Sequence, residues 1–378
     1  MRVMIFVDWY LPGYKAGGQI SSCANIVRAL RGSCELFVVT RDRDLDDQQT
    51  YKGIRTDTWT EDGKQCSIFY VAEGNRSLAR FKRLIREVQP DTIYLNSMFS
   101  AGYAMLPLLA AKQTGFKGKM VLAPRGMLQQ GALRFKPFKK KLAIRLLHAT
   151  GLLRSVVFHA TDETEAKDIA QNIPGNPPIE LVYDFPTMSQ EPLQSIRKDS
   201  GTLHCLFISR VVGKKNLLYL LNRLAHVKGT VVLSVVGPIE DESYWNQCKE
   251  AIASLPAQHR VEYVGAVPNP QLAGYYQRHH LFVLPTLGEN FGHVIFDAFR
   301  AGRPVLISTR TPWRNLEEQK AGTDIDLSDE TGWQRALERF IEMDQDTYDQ
   351  WTSGAWELAA AHISNASYLK QKYLALFS

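Results

Sequence analysis

The order of elements at the N-terminus constrains the fold more than any other feature of the chain. RVMIFV, from Arg2 to Val7, is an unbroken apolar run of strand length, the pattern of a strand buried on both faces. The glycine-rich loop LPGYKAGGQ follows, then helical spacing through SSCANIVRALRG to Gly32, then a second apolar run, CELFVVT. Strand, glycine loop, helix and strand in that order describe a βαβ unit and therefore a parallel sheet. Similar runs recur at TIYLNS, KMVLAP and SVVFHAT, spaced by helical segments, so the first half is predicted to be an α/β layer structure.

From Asp184 to Gly201 the stretch DFPTMSQEPLQSIRKDSG loses this periodicity and is rich in Pro, Ser and Gln, as a linker is. The alternation then restarts with LHCLFIS, VVLSVVG, VEYVG, LFVLPT and RPVLIS, with helical patterns between them. A chain of 378 residues is long for one core and comfortable for two. The expected architecture is two consecutive doubly wound domains, with a cleft between the carboxyl ends of their strands.

Composition excludes several classes. Hydrophobic content of 45% with 22% charge belongs to a globular enzyme and not to a disordered or fibrous chain. No apolar run approaches the roughly 20 residues that span a bilayer, and MRVMIFVDWYLPGY lacks a signal peptide's length and cleavage site. A cytoplasmic protein is expected. The five cysteines are scattered and never form CxxC, which indicates neither a disulfide framework nor a zinc site. The net charge of +6 is modest, but RFKPFKKKLAIR gathers Arg134, Lys136, Lys139, Lys140, Lys141 and Arg145 among Phe135, Phe138, Leu142 and Ile144, without an acid. Beyond Pro137 it reads as a basic amphipathic helix, lying on an anionic membrane or packed by its apolar side on its own domain.

Ligands of open α/β sheets bind beyond the carboxyl ends of strands, and three such loops carry chemistry. After the first strand, Gly13, Gly17 and Gly18 suit either close approach to a phosphate at a helix start or a plain turn. After LHCLFIS, the stretch ISRVVGKKN places Arg210, Lys214 and Lys215 where they can neutralise a diphosphate or remain solvated. After LFVLPT, the stretch GENFGHVIFDAF sets the amides of Asn290, Phe291 and Gly292 at a helix start, with Glu289 at the mouth and Asp297 inside the helix. Glu289 there is an acceptor for sugar hydroxyls or a helix cap, and Asp297 a ribose contact or a solvated residue. Asp162 and Glu165 have the spacing of a capping box. His159, His279 and His280 lack plausible metal partners, and DxD spacings at Asp42/Asp44, Asp44/Asp46 and Asp324/Asp326 are short enough to arise by chance.

GENFGHVIFDAFRAGRPVLIS, SRVVGKKN, PGYKAGGQ and VLAPRGML lie in order over most of the chain, and in them it resembles glycosyltransferase family 4, retaining enzymes of the GT-B fold. The resemblance implies an α/β GT-B protein with two Rossmann-like domains facing across a cleft. Residues 1–185 would bind the acceptor, 186–202 form the linker, 203–352 bind the nucleotide sugar, and 353–378 cross back to the first domain as a helix. By match, Arg210 and Lys215 would hold the donor diphosphate, Glu289 the donor sugar, Asp297 the ribose, and Gly17 and Gly18 the phosphate side. The family's second glutamate is Asp297 here, and Arg125 stands in LAPRGML where many members carry a histidine, to face the acceptor or the donor phosphate. The implied reaction moves a hexose from a UDP- or GDP-linked sugar to a lipid-linked glycan of a bacterial surface polysaccharide, O-antigen or capsule, without metal or other cofactor and without nucleic acid. An epimerase of the same fold and a non-catalytic nucleotide- or glycan-binding subunit are the alternatives.

Overall fold

The opening apolar run is β1 (Arg2–Val7), and its side chains divide between two cores. Val3, Ile5 and Val7 enter one, Met4 and Phe6 the other, which is why the run shows no polar alternation. The sheet is completed by β2 (Glu35–Arg41), β3 (Trp59–Glu61), β4 (Cys66–Val71), β5 (Thr92–Asn96), β6 (Lys119–Ala123), β7 (Val156–Ala160) and β8 (Ile179–Leu181), in the spatial order β3-β4-β2-β1-β5-β6-β7-β8. Neighbouring strands run parallel apart from the antiparallel pair β3 and β4. One face carries α1 (Gly18–Leu30); the other carries α2 (Leu78–Val88), α3 (Leu106–Thr114), α4 (Pro137–Ala149) and α5 (Glu163–Asn172). This computed structural model describes residues 1–63, 65–129 and 137–378.

The second sheet contains β9 (Thr202–Ile208), β10 (Thr230–Val236), β11 (Arg260–Gly265), β12 (Leu281–Leu284), β13 (Val305–Ser308) and β14 (Gly322–Ile325), all parallel, in the order β11-β10-β9-β12-β13-β14. Its helices are α6 (Leu217–Leu224), α7 (Glu242–Ala253), α8 (Asn269–Arg278), α9 (His293–Arg300), α10 (Glu330–Glu342) and α11 (Gln345–Ser364). Aspartates begin several of them: Asp241, Asp329 and Asp344 accept from the amides of Tyr244, Gly332 and Thr347 at the starts of α7, α10 and α11.

The chain divides into two units, Met1–Phe185 with Ala366–Ser378, and Pro186–Asn365. The return to the first unit therefore starts at Ala366, with α12 (Ala366–Phe377), and residues 353–365 stay with the second unit, as the end of α11 and its cap. Tyr373 of α12 stacks on Phe185 at 4.7 Å, and the carbonyl of Phe377 accepts from Thr92 of β5. The linker-like stretch is packed onto the second unit by specific bonds. Gln190 Nε2 donates to the Trp356 carbonyl at 2.8 Å, and buried Arg303 donates to the Gln194 carbonyl at 2.7 Å. The Lys198 ammonium, also buried, donates to the carbonyls of Asp199, Ile341 and Met343 at 2.9, 3.0 and 3.3 Å, two of them at the end of α10. Polar composition marked a break in periodicity; tertiary hydrogen bonds decide where such a segment lies.

Each sheet has one place where the strand order reverses direction. In the first it falls between β1 and β5, in the second between β9 and β12. Connections leave in opposite directions there, and a crevice opens beyond the strand ends.

Candidate functional site

In the second unit, β9 and β12 deliver their following loops to the same reversal point. The loop after β9 makes a single 3-10 turn, Gly213–Lys215, ended by Asn216 in the left-handed region at φ 62°. The loop after β12 is tied to it by Leu287 N donating to the Lys214 carbonyl at 2.8 Å. Thr286 is fully buried, and its hydroxyl accepts from Gly288 N at 3.2 Å. That hydroxyl also lies 3.2 Å from Glu289 Oε1, the oxygen that pairs with the Lys215 ammonium. Glu289 N donates to the Arg310 carbonyl at 3.0 Å, so backbone and carboxylate are both fixed.

The Lys215 and Glu289 side chains are 14% and 13% exposed, low enough for their charges to depend on each other. Burial pushes the Glu289 carboxyl up, but the charge and hydrogen bond of Lys215, the charge of Lys214 and the Thr286 hydroxyl outweigh it and hold the group below its ordinary value. It is a carboxylate at neutral pH, fit to accept from hydroxyls.

Three residues on, Gly292 caps α9 at φ 74°; a Cβ there would stand 2.9 Å from Ile295 Cδ1, so strain and space both call for glycine. Ile295 N donates to the Gly292 carbonyl at 2.8 Å, and the N-terminal end of α9 presents the positive pole of its peptide dipoles beside Glu289. The Phe291 ring points away, to an aromatic cluster with Phe296 at 5.7 Å and Trp313 at 5.4 Å, and its carbonyl accepts from Trp313 Nε1 at 2.6 Å. Phe291 thus anchors the loop through its ring. Asn290 lies between it and Glu289.

Arg210 lies at the end of β9, but its guanidinium pairs with Glu240 from the loop after β10. Asp297 pairs with Arg300 of its own helix at 2.8 Å, and Arg300 is held by the Ser189 carbonyl at 2.5 Å, so part of the Asp297 carboxylate is engaged within the unit. Thr286 and Glu240 were not singled out from sequence. A threonine in a strand-end PT and one acid in the run IEDE carry no pattern of their own; adjacency to a basic strand end was the one available signal.

In the first unit, Gly17 has φ 70° and opens α1 with Gly18 behind it; Ile20 N donates to the Gly17 carbonyl at 3.0 Å. The front of that loop is held by a carboxylate, because Asp44 Oδ2 accepts from Tyr14 N at 2.7 Å and Lys15 N at 3.1 Å. Gly13 permits this packing, since a Cβ would stand 2.2 Å from the Tyr51 hydroxyl. Asp44 therefore acts as a loop clamp. The other DxD aspartates near a strand end also serve local structure: Asp324 accepts from Leu316 N at 3.1 Å, and Asp326 accepts from Ser328 N at 2.9 Å.

Arg125 was expected to face a substrate, and the structure places its guanidinium in the interior, 8% exposed. At φ 56° its backbone is left-handed. The side chain pairs with Asp184 and donates to Asn96 Oδ1 at 2.7 Å and to the Tyr94 hydroxyl at 2.9 Å. Asp184 also accepts from the Ser22 hydroxyl at 2.9 Å. His159 continues the chain of bonds: Nε2 lies 2.7 Å from the Val182 carbonyl, which can only accept, so Nδ1 accepts from Tyr94 at 2.9 Å. Burial holds this imidazole neutral, its pKa pushed down to about 4. Asp162 caps α5 by accepting from Glu165 N at 2.8 Å, but buried Glu165 reaches back past it, accepting from Gly126 N at 2.6 Å and Thr161 N at 2.9 Å. It braces the turn that contains Arg125.

Of the basic segment, Arg134, Phe135 and Lys136 lie outside the described residues. Ile144 and Leu147 of α4 are buried, while Leu142 and Leu146 are 58% and 56% exposed on either side of exposed Arg145. No helix of the described residues is long and apolar enough to cross a membrane.

Comparison with known proteins bears on this site directly. Residues 202–343 match the family Glycosyl transferases group 1. The matched stretch takes in Arg210, Lys215, Glu240, Glu289 and Asp297 together. The chain is 24% identical over 351 residues to an alpha-monoglucosyldiacylglycerol synthase of Streptococcus pneumoniae, covering 85% of this chain and 74% of that protein. Among solved structures, sucrose-phosphate synthase from Thermosynechococcus elongatus aligns over 100% of this chain and 99% of its own with a TM-score of 0.73 at 15% identity. Anabaena Alr3699/HepE in complex with UDP-glucose aligns over 99% of each chain with a TM-score of 0.71 at 16% identity. The fold is GT-B, built from two Rossmann-like doubly wound units.

Proposed function

We propose that this protein is a retaining hexosyltransferase of glycosyltransferase family 4, moving a hexose from a UDP- or GDP-linked sugar to a hydroxyl of a lipid-linked glycan. The observation that carries the reading is the Lys215 and Glu289 contact at the strand-order reversal of the second unit, inside the stretch that matches group 1 glycosyltransferases. Arg210, Lys215 and the amides of the loop that leads into α9, from Asn290 to Gly292, offset the charge that develops on the departing diphosphate; the helix itself begins at His293, later than the sequence pattern placed it. Glu289 accepts from donor-sugar hydroxyls, and Asp297 from those of the ribose. In this reading these donors take the place of a metal ion at the leaving group. In a front-face reaction the bond from the anomeric carbon to the phosphate oxygen breaks as the acceptor oxygen bonds to the same face. The leaving oxygen takes the acceptor's proton, so no side-chain base is required.

The acceptor belongs to the first unit and is a lipid-linked intermediate of a bacterial surface polysaccharide, O-antigen or capsule. Support comes from the S. pneumoniae relative, whose name specifies a diacylglycerol glycolipid, and from Leu142, Arg145 and Leu146 on the outer side of α4. Such a face suits peripheral attachment to an anionic cytoplasmic membrane surface.

Thermal shifts with UDP, GDP, ADP and NAD, each with and without EDTA, test the donor. A ligand at a hundred times its dissociation constant stabilises by about 2.7 kcal/mol. An EDTA-insensitive shift with UDP or GDP alone is expected; a response to NAD alone would replace the reading with a dinucleotide enzyme. Glu289→Ala should abolish transfer while sparing nucleotide binding, and unchanged transfer would remove Glu289 from the mechanism. Sedimentation with anionic vesicles should fall for the triple Lys139/Lys140/Lys141→Gln variant, and equal sedimentation would sink the membrane assignment.

A further inference from the structure

Two cations meant for a diphosphate already have anions beside them: Lys215 has Glu289, and Arg210 has Glu240. Glu289 has a use of its own in the donor reading. Glu240 has none, yet its place is built with care. Gly237 at the end of β10 lets the two loops meet, because a Cβ there would lie 2.0 Å from the Ser209 carbonyl oxygen and 3.2 Å from Arg210 N. Val211 N donates to the Pro238 carbonyl at 2.8 Å, and Glu240 N returns a bond to the Val211 carbonyl at 3.1 Å. Val211, between these bonds, is fully buried. The next acid, Asp241, is occupied in capping α7, so Glu240 is the acid of this run that meets Arg210. The backbone is fixed, whereas the two charged heads are not: the Arg210 and Glu240 side chains are 34% and 39% exposed, open enough to separate.

We propose that Glu240 is an internal stand-in for the donor's phosphate, a positioning residue that holds Arg210 at the site when it is empty and is displaced by the diphosphate. The inference rests on the donor reading given above. The guanidinium exchanges one anion for another, and Glu240 stays close enough to repel the bound diphosphate and to recapture Arg210 as the nucleotide leaves. The same contact therefore weakens product retention and keeps a flexible cation aimed at the strand end.

Isothermal titration of the full-length chain with UDP, GDP, uridine and guanosine tests this, using wild type, Glu240→Gln, Glu240→Asp, Arg210→Met and the Arg210→Met/Glu240→Gln double variant. Glu240→Gln should bind the better diphosphate about threefold to fivefold more tightly, the size expected when one exposed ion pair no longer competes. Glu240→Asp should stay near wild type. Nucleoside affinity, which a general structural change would also move, should stay put. The gain should vanish in the double variant relative to Arg210→Met. Unchanged or weaker diphosphate binding by Glu240→Gln, with wild type binding normally, overturns the inference alone. If wild type binds neither UDP nor GDP, the donor reading falls and this inference with it.

Discussion

Lys215→Met isolates the energetics of the site. Removing one member of a buried ion pair costs about 3–5 kcal/mol, because the other charge is left desolvated and unmatched. Lys215 and Glu289 are 14% and 13% exposed, so some water reaches them, and a loss of roughly 2–3 kcal/mol near neutral pH is expected. For a unit of this size that lowers the melting temperature by roughly 4–12 °C. The pH dependence identifies the cause. In wild type Glu289 is held below its ordinary value, so its contribution is complete above the unfolded pKa of about 4.3 and is lost as pH falls through the lower folded value. In the variant, burial acts without Lys215, the folded pKa rises, and protonation relieves the unpaired charge as pH falls. The gap between the two proteins should therefore be widest near neutrality and close towards about pH 4.5. Five of the seven tryptophans, Trp245, Trp313, Trp333, Trp351 and Trp356, lie in the second unit and Trp9 and Trp59 in the first, so intrinsic fluorescence melts weight the second unit most. A gap independent of pH, or one that widens in acid, would refute the argument that an unpaired Glu289 is the source.

Arg125→Met leaves Asp184, whose side chain is 2% exposed, without its cation, and should cost the first unit about 3–5 kcal/mol in urea unfolding; a loss below about 1 kcal/mol would show that the Ser22 hydroxyl and the Tyr373 hydroxyl, which donates to Asp184 at 3.5 Å, suffice for the carboxylate. Lys198→Met strips a donor from three carbonyls and should destabilise the second unit by about 1–3 kcal/mol, read by the same fluorescence melts. Gly17→Ala places a Cβ on a residue at φ 70° and ψ −131°, a backbone that side chains rarely adopt, and should cost about 1–3 kcal/mol by thermal melting; nothing lies within 4 Å of that Cβ, so the cost would be backbone strain alone.

Both sheets were legible because β1, β9 and β12 are apolar runs of strand length between turn signals, and burial on both faces writes itself into such runs. That Lys215 and Glu289 lie at the same end of one sheet was legible for a related reason, since each follows a strand and doubly wound sheets bring strand ends together where the order reverses; that they pair with each other was not. Arg125 shows the limit. It too follows a strand, but a left-handed backbone and a carboxylate fifty-nine positions away turn it inward, and neither leaves a mark in local sequence. Lys198 and Arg303 were hidden for the same reason, since their shortest bonds go to main-chain carbonyls, which every residue possesses.

The first unit is interrupted: its sheet is built from residues before Phe185, yet Tyr373, Leu376 and Phe377 belong to one of its two cores. During synthesis the ribosome must therefore produce all of Pro186–Asn365 before that core can close, a delay on the order of ten seconds or more at typical elongation rates. Until then Tyr94 and Phe185 lack the aromatic partners that α12 brings, and the older half of the nascent chain depends on the younger half's tail. A chaperone that shields apolar sheet surface would find its longest-lived target in the part of this protein that is made first.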